Sequence, residues 1–463
     1  MENQRELHLQ HTKLGRRRVI LFLFPLQGHL NPMLQLASIL YSRGFSITII
    51  HTNFNSPNSS NYPHFNFCSF PDGLSETEAS TADIMSLVTL LNFKCAVPFK
   101  DCLTKLMSNV EEEDSSPACL INDAAWLCTQ AVAQSLKLPR IVLRTNSVCS
   151  ILAFFAIPIL LREKRYLPIQ DSQSEAPVLE LPPLRIKDIP FIETKNQESF
   201  DQSQIDLVNE TKMSSGIILN SFQELEQAAL AKLQQEYFPI PIFPIGPFHK
   251  YFPASSSSLL SQDQSSISWL DKRAPKSVIY VSFGSIAKFN KTEFLEIAWG
   301  LANTNLPFLW VVRPGLVHGA EWIEPLPKVF LETISGRGHL VEWAPQQQVL
   351  AHPAIGGFWT HSGWNSTLES ICEGVPMICQ PCFGDQKVNA RYVSDVWRVG
   401  LHLERRLERV EIEKVIRRLM VEIEGQEMRE RIMHLKEKVE LCLRQGGSSH
   451  QALESLINYI LSF

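Results

Sequence analysis

Short runs of apolar residues alternate along the first half of the chain with segments whose apolar positions repeat at helical spacing. The runs have strand length and lie at Val19–Phe24, Ser46–His51, Cys119–Asn122, Arg140–Leu143 and Gly216–Asn220. The helical segments begin near Asn31, Trp126, Ser147 and Phe222. Such alternation of strand and helix predicts an α/β domain built on a parallel sheet.

The same alternation returns in the second half and predicts a second parallel-sheet domain. Its strands lie at Val278–Phe283, Phe308–Val312, His339–Glu342, Gly357–Trp359 and Pro376–Cys379. Between the halves, Phe248–Ser266 contains a serine run and little periodicity, as expected of an exposed linker. We therefore predict a Rossmann-like domain over 1–247, a linker over 248–268, a second Rossmann-like domain over 269–445, and a helix over 446–463 that packs on the first domain.

Length and composition narrow the classes of function. A chain of 463 residues is too long for one ordinary core and suits two domains. The net charge of -5 gives no general attraction to phosphate backbones, so we expect no nucleic-acid partner. Ten cysteines are scattered through apolar segments, which is typical of buried thiols in a reducing compartment such as the cytosol.

Two apolar segments resemble targeting or membrane signals. Arg16-Arg17-Arg18 precedes the first apolar run as in a signal peptide, but no small-residue cleavage site follows, so a buried strand is the better interpretation. Ile151–Leu161 is interrupted by Pro158 and is shorter than the about 20 residues that a membrane span needs. We expect a cytoplasmic, monomeric protein without stable membrane insertion.

A histidine and an aspartate follow two of the strands predicted for the first sheet. Asn31 and Pro32 suit the N-cap and first position of a helix, which would leave Gly28 and His29 on the turn at the carboxyl end of the first strand. His29 could act there as a general base. Asp123 reaches the same edge and could orient the imidazole. The alternatives are a histidine bonded only to backbone and an aspartate that only caps its helix.

A segment of 44 residues from Trp343 to Gln386 carries the features of a nucleotide site. Trp343 offers a flat face for a nucleobase. After the strand Gly357–Trp359, a glycine-bearing turn leads to a helix near Asn365, whose N–H groups and positive dipole end suit a diphosphate. The side chains that could add donors are His361, Asn365, Ser366 and Ser285. Taken locally, an ordinary capped helix is the alternative.

This segment resembles the signature box of plant secondary-product UDP-glycosyltransferases. It has the WxPQ opening, the centre His361-Ser362-Gly363-Trp364-Asn365-Ser366, then Glu369 and the closing Asp385-Gln386. Matches at Gly28–Pro32, Asn122-Asp123 and Ser282–Ser285 extend the resemblance over essentially the full length. The resemblance implies a GT-B fold, with two Rossmann-like domains facing each other across a cleft, and inverting transfer of glucose from UDP-glucose.

The resemblance also implies roles for individual residues. Trp343, Ala344 and Gln346 would bind the uracil nucleoside and Glu369 the ribose hydroxyls. Trp364, Asp385 and Gln386 would bind the sugar, and a terminal glutamine tends to accompany glucose. No metal and no cofactor beyond the UDP-glucose donor is expected, since the sequence contains no D-x-D carboxylate pair.

The acceptor is expected to be a small lipophilic plant metabolite that carries a terpenoid, flavonoid, phenolic or hormone hydroxyl. The candidate lining residues are Gly28, Phe93, Trp126, Asn146 and Phe191. Ile151–Leu161 could add to them or could be simple core. Phrases such as His51–Asn55 and Asn61–Phe65 resemble the subgroup of steviol-glycoside and cytokinin glucosyltransferases.

Other functions fit the sequence less well. A nicotinamide oxidoreductase is disfavoured because no G-x-G-x-x-G follows the first strand. Two alternatives stay open: the use of another UDP-sugar such as UDP-galactose or UDP-xylose, and a non-catalytic UDP-sugar-binding protein. The second would be expected to lack His29 or Asp123, and both are present.

Overall fold

The computed structural model describes residues 17–81, 84–108, 116–162, 174–190, 197–252, 258–404 and 406–463. The chain forms two compact units. The first contains Met1–Val148, Asn196–Leu259 and Cys442–Phe463, and the second contains Cys149–Lys195 and Leu260–Leu441. The described residues between 149 and 190, which the periodicity assigned to the first domain, group with the second unit.

The first unit is built on a seven-stranded parallel sheet with the order β3-β2-β1-β4-β5-β6-β7. Its strands are β1 (Arg18–Phe22), β2 (Ser46–Thr52), β3 (Asn66–Phe70), β4 (Pro117–Asp123), β5 (Arg140–Arg144), β6 (Gly216–Leu219) and β7 (Ile242–Pro244). The five predicted strands are confirmed, and the two that the apolar pattern missed, β3 and β7, lie at the sheet edges. Interior strands are apolar on both faces, which makes them visible in the sequence.

The second unit repeats this design with a six-stranded parallel sheet in the order β10-β9-β8-β11-β12-β13. Its strands are β8 (Val278–Ser282), β9 (Phe308–Val311), β10 (Gly338–Val341), β11 (Ile355–Thr360), β12 (Met377–Cys379) and β13 (Gly400–His402). Only the edge strand β13 was not predicted. The predicted fold class, α/β with two Rossmann-like domains as in the GT-B fold, is confirmed.

Helices connect the strands of both sheets. In chain order they are α1 (Gln27–Ser42), α2 (Glu76–Thr81), α3 (Ile84–Ser108), α4 (Thr129–Ser135), α5 (Val148–Arg162), α6 (Gln197–Lys212), α7 (Gln223–Lys232), α8 (Ser265–Leu270), α9 (Lys291–Asn303), α10 (Lys328–Thr333), α11 (Gln346–Ala351), α12 (Trp364–Glu373), α13 (Asp385–Arg391), α14 (Arg409–Met420), α15 (Ile423–Leu443) and α16 (Ser448–Leu461). Across the described ranges, none of these helices combines the length and the apolar character needed to cross a membrane.

Apolar side chains cover the faces of each sheet. In the first unit, one cluster joins α1 to the sheet and includes Leu453, Leu456 and Ile460 of the last helix, α16, which are fully buried. Burial of each such side chain contributes roughly 1.5–3 kcal/mol, so the apolar face of α16 holds the end of the chain on the first sheet. A cluster around Trp310 and Trp359 forms the core of the second unit.

Candidate functional site

His29 and Asp123 are in contact at the carboxyl edge of the first sheet. The distance from His29 Nδ1 to Asp123 Oδ2 is 2.8 Å. Thr145 Oγ1, just beyond the end of β5, lies 3.3 Å from the same nitrogen. The Asp123 side chain is 1% exposed, whereas that of His29 is 29% exposed. With Nδ1 donating to the carboxylate, Nε2 is the basic nitrogen of the imidazole.

The start of α1 sets the position of the imidazole. The helix begins at Gln27, ahead of the predicted start, so Gly28 and His29 lie in its first turn and Pro32 lies inside it. The prediction of Asn31 as N-cap was wrong, because the Asn31 side chain instead accepts from Gln27 Nε2 at 2.5 Å along the helix surface. The His29 N–H donates to Leu26 O at 2.8 Å and fixes that turn.

Asp123 uses its two carboxylate oxygens differently. Oδ1 accepts from the Ala125 N–H at 2.8 Å and shapes the turn after β4, while Oδ2 faces His29. Asp123 does not cap the following helix, because α4 begins at Thr129 with Cys128 at its N-cap, so the capping alternative was wrong. Burial lowers the pKa of the neighbouring Arg144 to about 10, and the charge of Asp123 opposes that shift. Arg144 thus offsets the buried carboxylate.

Trp126 packs in the core of the first unit, against the Phe24 ring that contacts His29. Its side chain does not face a ligand, which corrects its predicted role in acceptor binding. Its side chain has no exposed surface. The indole stacks on Phe22 at 4.4 Å and donates from Nε1 to Leu23 O at 2.9 Å. Phe24 lies between, with ring centroids 4.8 Å from Trp126 and 5.4 Å from His29. The turn after β4 directs the indole into the core, which periodicity alone could not show.

The other predicted acceptor residues occupy different surroundings. Asn146 is half-buried and follows Thr145, which contacts His29. Phe93 on α3 is 83% exposed. Phe191 lies outside the described residues. Sequence reasoning missed Asn92, which braces the turn after Asp123 by accepting from Leu127 N at 2.7 Å and donating to Ala125 O at 2.9 Å.

At the carboxyl edge of the second sheet, side chains predicted for the nucleoside form one hydrogen-bonded group. Gln346 Nε2 donates to Ser366 Oγ at 3.0 Å and to Glu369 Oε2 at 2.7 Å. Gln347 donates to the other Glu369 oxygen at 2.9 Å. Burial raises the pKa of Glu369, and the two glutamine amides oppose that shift. Trp343, just before α11, is half-exposed, as a stacking face requires, and the neighbouring Ala344 is buried.

Tyr280 on β8, which sequence reasoning missed, contacts this hydrogen-bonded group through Gln346. Its hydroxyl donates to Gln346 Oε1 at 3.2 Å, and its ring stacks on Phe358 at 4.9 Å. Tyr280 is 1% exposed. The glutamine is thus fixed through both of its polar atoms before any ligand binds.

The residues predicted for the diphosphate come from the loops after β8 and β11. His361 follows β11, Ser362 adopts a positive φ of 63°, and α12 begins at Trp364. The His361 ring lies against Gly284, so a Cβ at that glycine would come within 2.6 Å of the ring. This close approach requires glycine and brings the loop that carries Ser285 next to the imidazole.

His361 is neutral at pH 7. Burial lowers its pKa to about 4, the Ser282 backbone opposes the shift, and the charge of Arg313 reinforces it. A neutral imidazole can donate one hydrogen bond to an anion. The first N–H groups of α12, near Asn365 and Ser366, add to a surface suited to negative charge.

Two of the three residues predicted for the sugar, Asp385 and Gln386, lie at the start of α13. Gln386 Oε1 accepts from Cys382 N at 2.9 Å and Phe383 N at 3.3 Å, so the amide is held by its own loop. Asn389, which sequence reasoning missed, donates to Ser362 O at 3.0 Å and to Asp385 Oδ2 at 3.4 Å. It links the predicted sugar and phosphate segments.

Trp364 is 3% exposed, and its ring centroid is 6.3 Å from that of Trp397. The indole therefore belongs mainly to the packing between the start of α12 and the segment after α13. Across the described ranges, no group of three or more His, Cys, Asp or Glu side chains is arranged to hold a metal ion.

Comparison with known proteins shows the family to which the chain belongs. The family profile described as "UDP-glucoronosyl and UDP-glucosyl transferase" matches residues 37–438. The chain belongs to this family. It is a UDP-glycosyltransferase, as the signature box predicted.

Individual relatives cover almost the whole of this UDP-glycosyltransferase. UDP-glycosyltransferase 76B1 of Arabidopsis thaliana is 58% identical over 445 residues, which cover 96% of this chain and 98% of the relative. UDP-glycosyltransferase 76G1 of Stevia rebaudiana is 47% identical and covers 100% of both chains. Phytolacca americana UGT2 complexed with UDP-2fluoro-glucose and pterostilbene is 28% identical, with a TM-score of 0.80 over 96% of this chain and 99% of that one.

Proposed function

We propose that this UDP-glycosyltransferase transfers glucose from UDP-glucose to a hydroxyl of a small lipophilic metabolite, with inversion at the anomeric carbon. The observation that carries the proposal is the 2.8 Å contact between His29 Nδ1 and Asp123 Oδ2. It occurs in a chain whose second unit holds the complete donor signature. An activating base is what a transferase needs and a passive UDP-sugar sensor does not.

Proton removal is assigned to the first unit. His29 Nε2 takes the proton of the acceptor hydroxyl as the oxygen attacks the anomeric carbon. The Asp123 carboxylate stabilises the imidazolium that forms and keeps Nδ1 protonated beforehand. The C–O bond to the acceptor forms as the bond to UDP breaks, through an oxocarbenium-like transition state.

Leaving-group stabilisation is assigned to the second unit. UDP departs with an added negative charge, which hydrogen-bond donors fixed in advance stabilise without reorganisation. Ser285, His361, Asn365 and Ser366 are the donors, together with the first N–H groups of α12. Because His361 is neutral, it donates a hydrogen bond to the departing UDP but contributes no positive charge.

Donor selectivity is assigned to the ends of the signature box. Trp343 stacks on uracil beside Ala344 and Gln346, and Glu369 accepts from the ribose hydroxyls. Asp385 and Gln386 bind the sugar hydroxyls, with Trp364 packed beside them. Gln386 is 5% exposed and held at its carbonyl oxygen, so its amide NH2 has a fixed direction. A fixed donor of this kind discriminates between epimeric hydroxyls, and the terminal glutamine, which in the resemblance accompanies glucose, supports glucose over galactose.

Acceptor binding is assigned to the surroundings of His29. Gly28 precedes His29 in the first turn of α1, and the half-buried Asn146 follows Thr145, which contacts the imidazole. The pterostilbene bound by the Phytolacca americana protein supports a phenolic or similar lipophilic acceptor. All ten cysteines are free, which supports action in the cytosol, where thiols stay reduced.

A donor competition tests this function. The purified protein is incubated with equal concentrations of UDP-glucose, UDP-galactose and UDP-xylose and a panel of plant phenols, terpenoid alcohols and hormones. Mass spectrometry of the products is expected to show mainly hexose addition. Because glucose and galactose have the same mass, separate reactions with UDP-glucose and with UDP-galactose identify the hexose, which we expect to be glucose. UDP binding without any transfer across the panel would instead identify a UDP-sugar-binding protein.

A further inference from the structure

Arg313 lies just after β9, and its guanidinium contacts the loop that follows β8. The side chain is 7% exposed. Its Nε donates to Gly284 O at 3.0 Å and one Nη donates to Pro314 O at 3.0 Å. The other Nη donates to Ala287 O. All of these acceptors are neutral main-chain carbonyls, and two of them flank Ser285.

This buried cation has no anionic partner in the described part of the chain. No carboxylate there lies within ion-pair distance of the guanidinium. Burial lowers the pKa of Arg313 to about 10, opposed by the thiol of Cys382, so the side chain still carries its charge at neutral pH. Buried charges in proteins are normally paired, because an unpaired one loses its hydration without compensation.

The charge acts on the predicted diphosphate site. Arg313 holds Gly284, and the His361 ring lies against the same glycine. Burial lowers the pKa of His361, and the charge of Arg313 adds to that shift. A bound diphosphate is an anion, and its charge would balance that of the Arg313 guanidinium next to the loop.

We propose that Arg313 is a positioning residue of the donor site, which fixes the loop carrying Ser285 and whose charge is balanced by the diphosphate of the bound nucleotide. The proposal rests on the proposed donor function. It assigns two effects to one side chain: two hydrogen bonds, to Gly284 O and Ala287 O, that shape the loop, and a positive charge that attracts the phosphates. The charge also favours departure of UDP, since the leaving group becomes more negative.

Calorimetric titration with uridine, UMP and UDP separates the effect of charge from the effect of shape. For Arg313→Gln, which removes the charge, we expect UDP affinity to fall at least about tenfold, UMP affinity to fall less, and uridine affinity to change less than about twofold. Arg313→Lys keeps the charge, and we expect its UDP-to-uridine affinity ratio to stay within about threefold of wild type.

Arg429→Gln is the matched control. Arg429 is a half-buried guanidinium that, like Arg313, donates to main-chain carbonyls, those of Leu419 and Met420, but it carries no predicted donor role. Its UDP affinity is expected to equal that of wild type. Thermal unfolding without ligand shows whether each variant is folded.

Three results would overturn the proposal: equal losses of uridine and UDP affinity in Arg313→Gln, an unchanged UDP affinity in that variant, or an Arg313→Lys ratio as low as that of Arg313→Gln. If Arg313→Gln does not fold, the UDP-to-uridine ratio of Arg313→Lys decides alone. A wild-type protein that binds no UDP would contradict the donor function itself, which is a different failure.

Discussion

The two sheets share one strand order but carry different chemistry at the same edge. In each, the order reverses between the first and fourth strands, β1 and β4 in one and β8 and β11 in the other. His29 and Asp123 follow the first pair, and Ser285 and His361 follow the second. Ligand sites of open α/β sheets lie at such reversals. The sheet topology therefore determines where the site residues lie, and the identity of the side chains determines the chemistry at each site.

The two histidines differ in the charge beside them. His29 contacts the carboxylate of Asp123, which stabilises an imidazolium. His361 is buried, which lowers its pKa and disfavours an imidazolium, and the charge of the Arg313 guanidinium adds to that effect. The same side chain is thereby suited to accept a proton in the first unit and to donate a hydrogen bond without charge in the second.

Removal of the imidazole in the first unit should give the largest effect. For His29→Ala we expect kcat with an alcohol acceptor to fall on the order of 10³-fold, because a positioned general base is lost. The KM for UDP-glucose should change less than about twofold. Initial rates with varied donor test both expectations, and undiminished turnover would remove His29 from the mechanism.

Removal of the carboxylate charge should have the next largest effect. We expect Asp123→Asn to lower kcat on the order of 10²-fold, because the imidazolium loses its partner while the amide oxygen can still accept from Ala125 N–H. In the double variant with His29→Ala, the loss should be no greater than in His29→Ala alone, since Asp123 acts through the imidazole. An additive loss would show a separate role for Asp123.

Acid should weaken the second site through its neutral histidine. The pKa of His361 is about 4 in the folded protein and near 6.5 when unfolded, so the unfolded chain binds the proton first. This residue's contribution to the free energy of unfolding is therefore complete above pH 6.5 and declines as pH falls toward about 4. At pH 5 we expect a loss of at most about 2 kcal/mol, estimated from that difference in pKa.

Urea unfolding of wild type and His361→Gln at pH 7 and pH 5 measures this effect. The variant should lose less stability between the two pH values, because one of the buried histidines is gone. Burial also lowers the pKa of His402, in the same unit, to about 4, so the variant should keep the acid sensitivity that His402 contributes. Equal losses in wild type and variant would exclude His361 as a source of acid sensitivity.

The smallest effect is expected for hydrogen bonding at His361. His361→Gln keeps a neutral donor but changes its position, so we expect the KM for UDP-glucose to rise about tenfold with an acceptor KM near wild type. Steady-state kinetics with each substrate varied in turn give both constants. A change confined to the acceptor KM would contradict the assignment of His361 to the donor.

The parts that the sequence could predict are those set by local pattern. Interior strands such as β1 and β11 are buried on both faces and stand out as apolar runs. Asn66–Phe70 of β3 is largely half-exposed or exposed and shows no such run. The start of α1 was misplaced because Asn31 and Pro32 are favourable terminal residues that the helix accommodates inside itself.

The candidate site divides in the same way. The contact of His29 with Asp123 could be anticipated, because parallel strands deliver residues to one edge. Arg313 and Tyr280 could not, since they act through contacts between segments far apart in the chain and belong to no motif. Trp126 was misassigned because its distance in sequence from Asp123 says nothing about the direction of its side chain.

One titration tests most directly whether proton removal and donor binding reside in separate units. UDP-glucose is titrated by calorimetry into wild type, His29→Ala and His361→Gln without acceptor. We predict wild-type affinity for His29→Ala and about tenfold weaker binding for His361→Gln. Loss of donor binding in His29→Ala, with His361→Gln unchanged, would contradict the account.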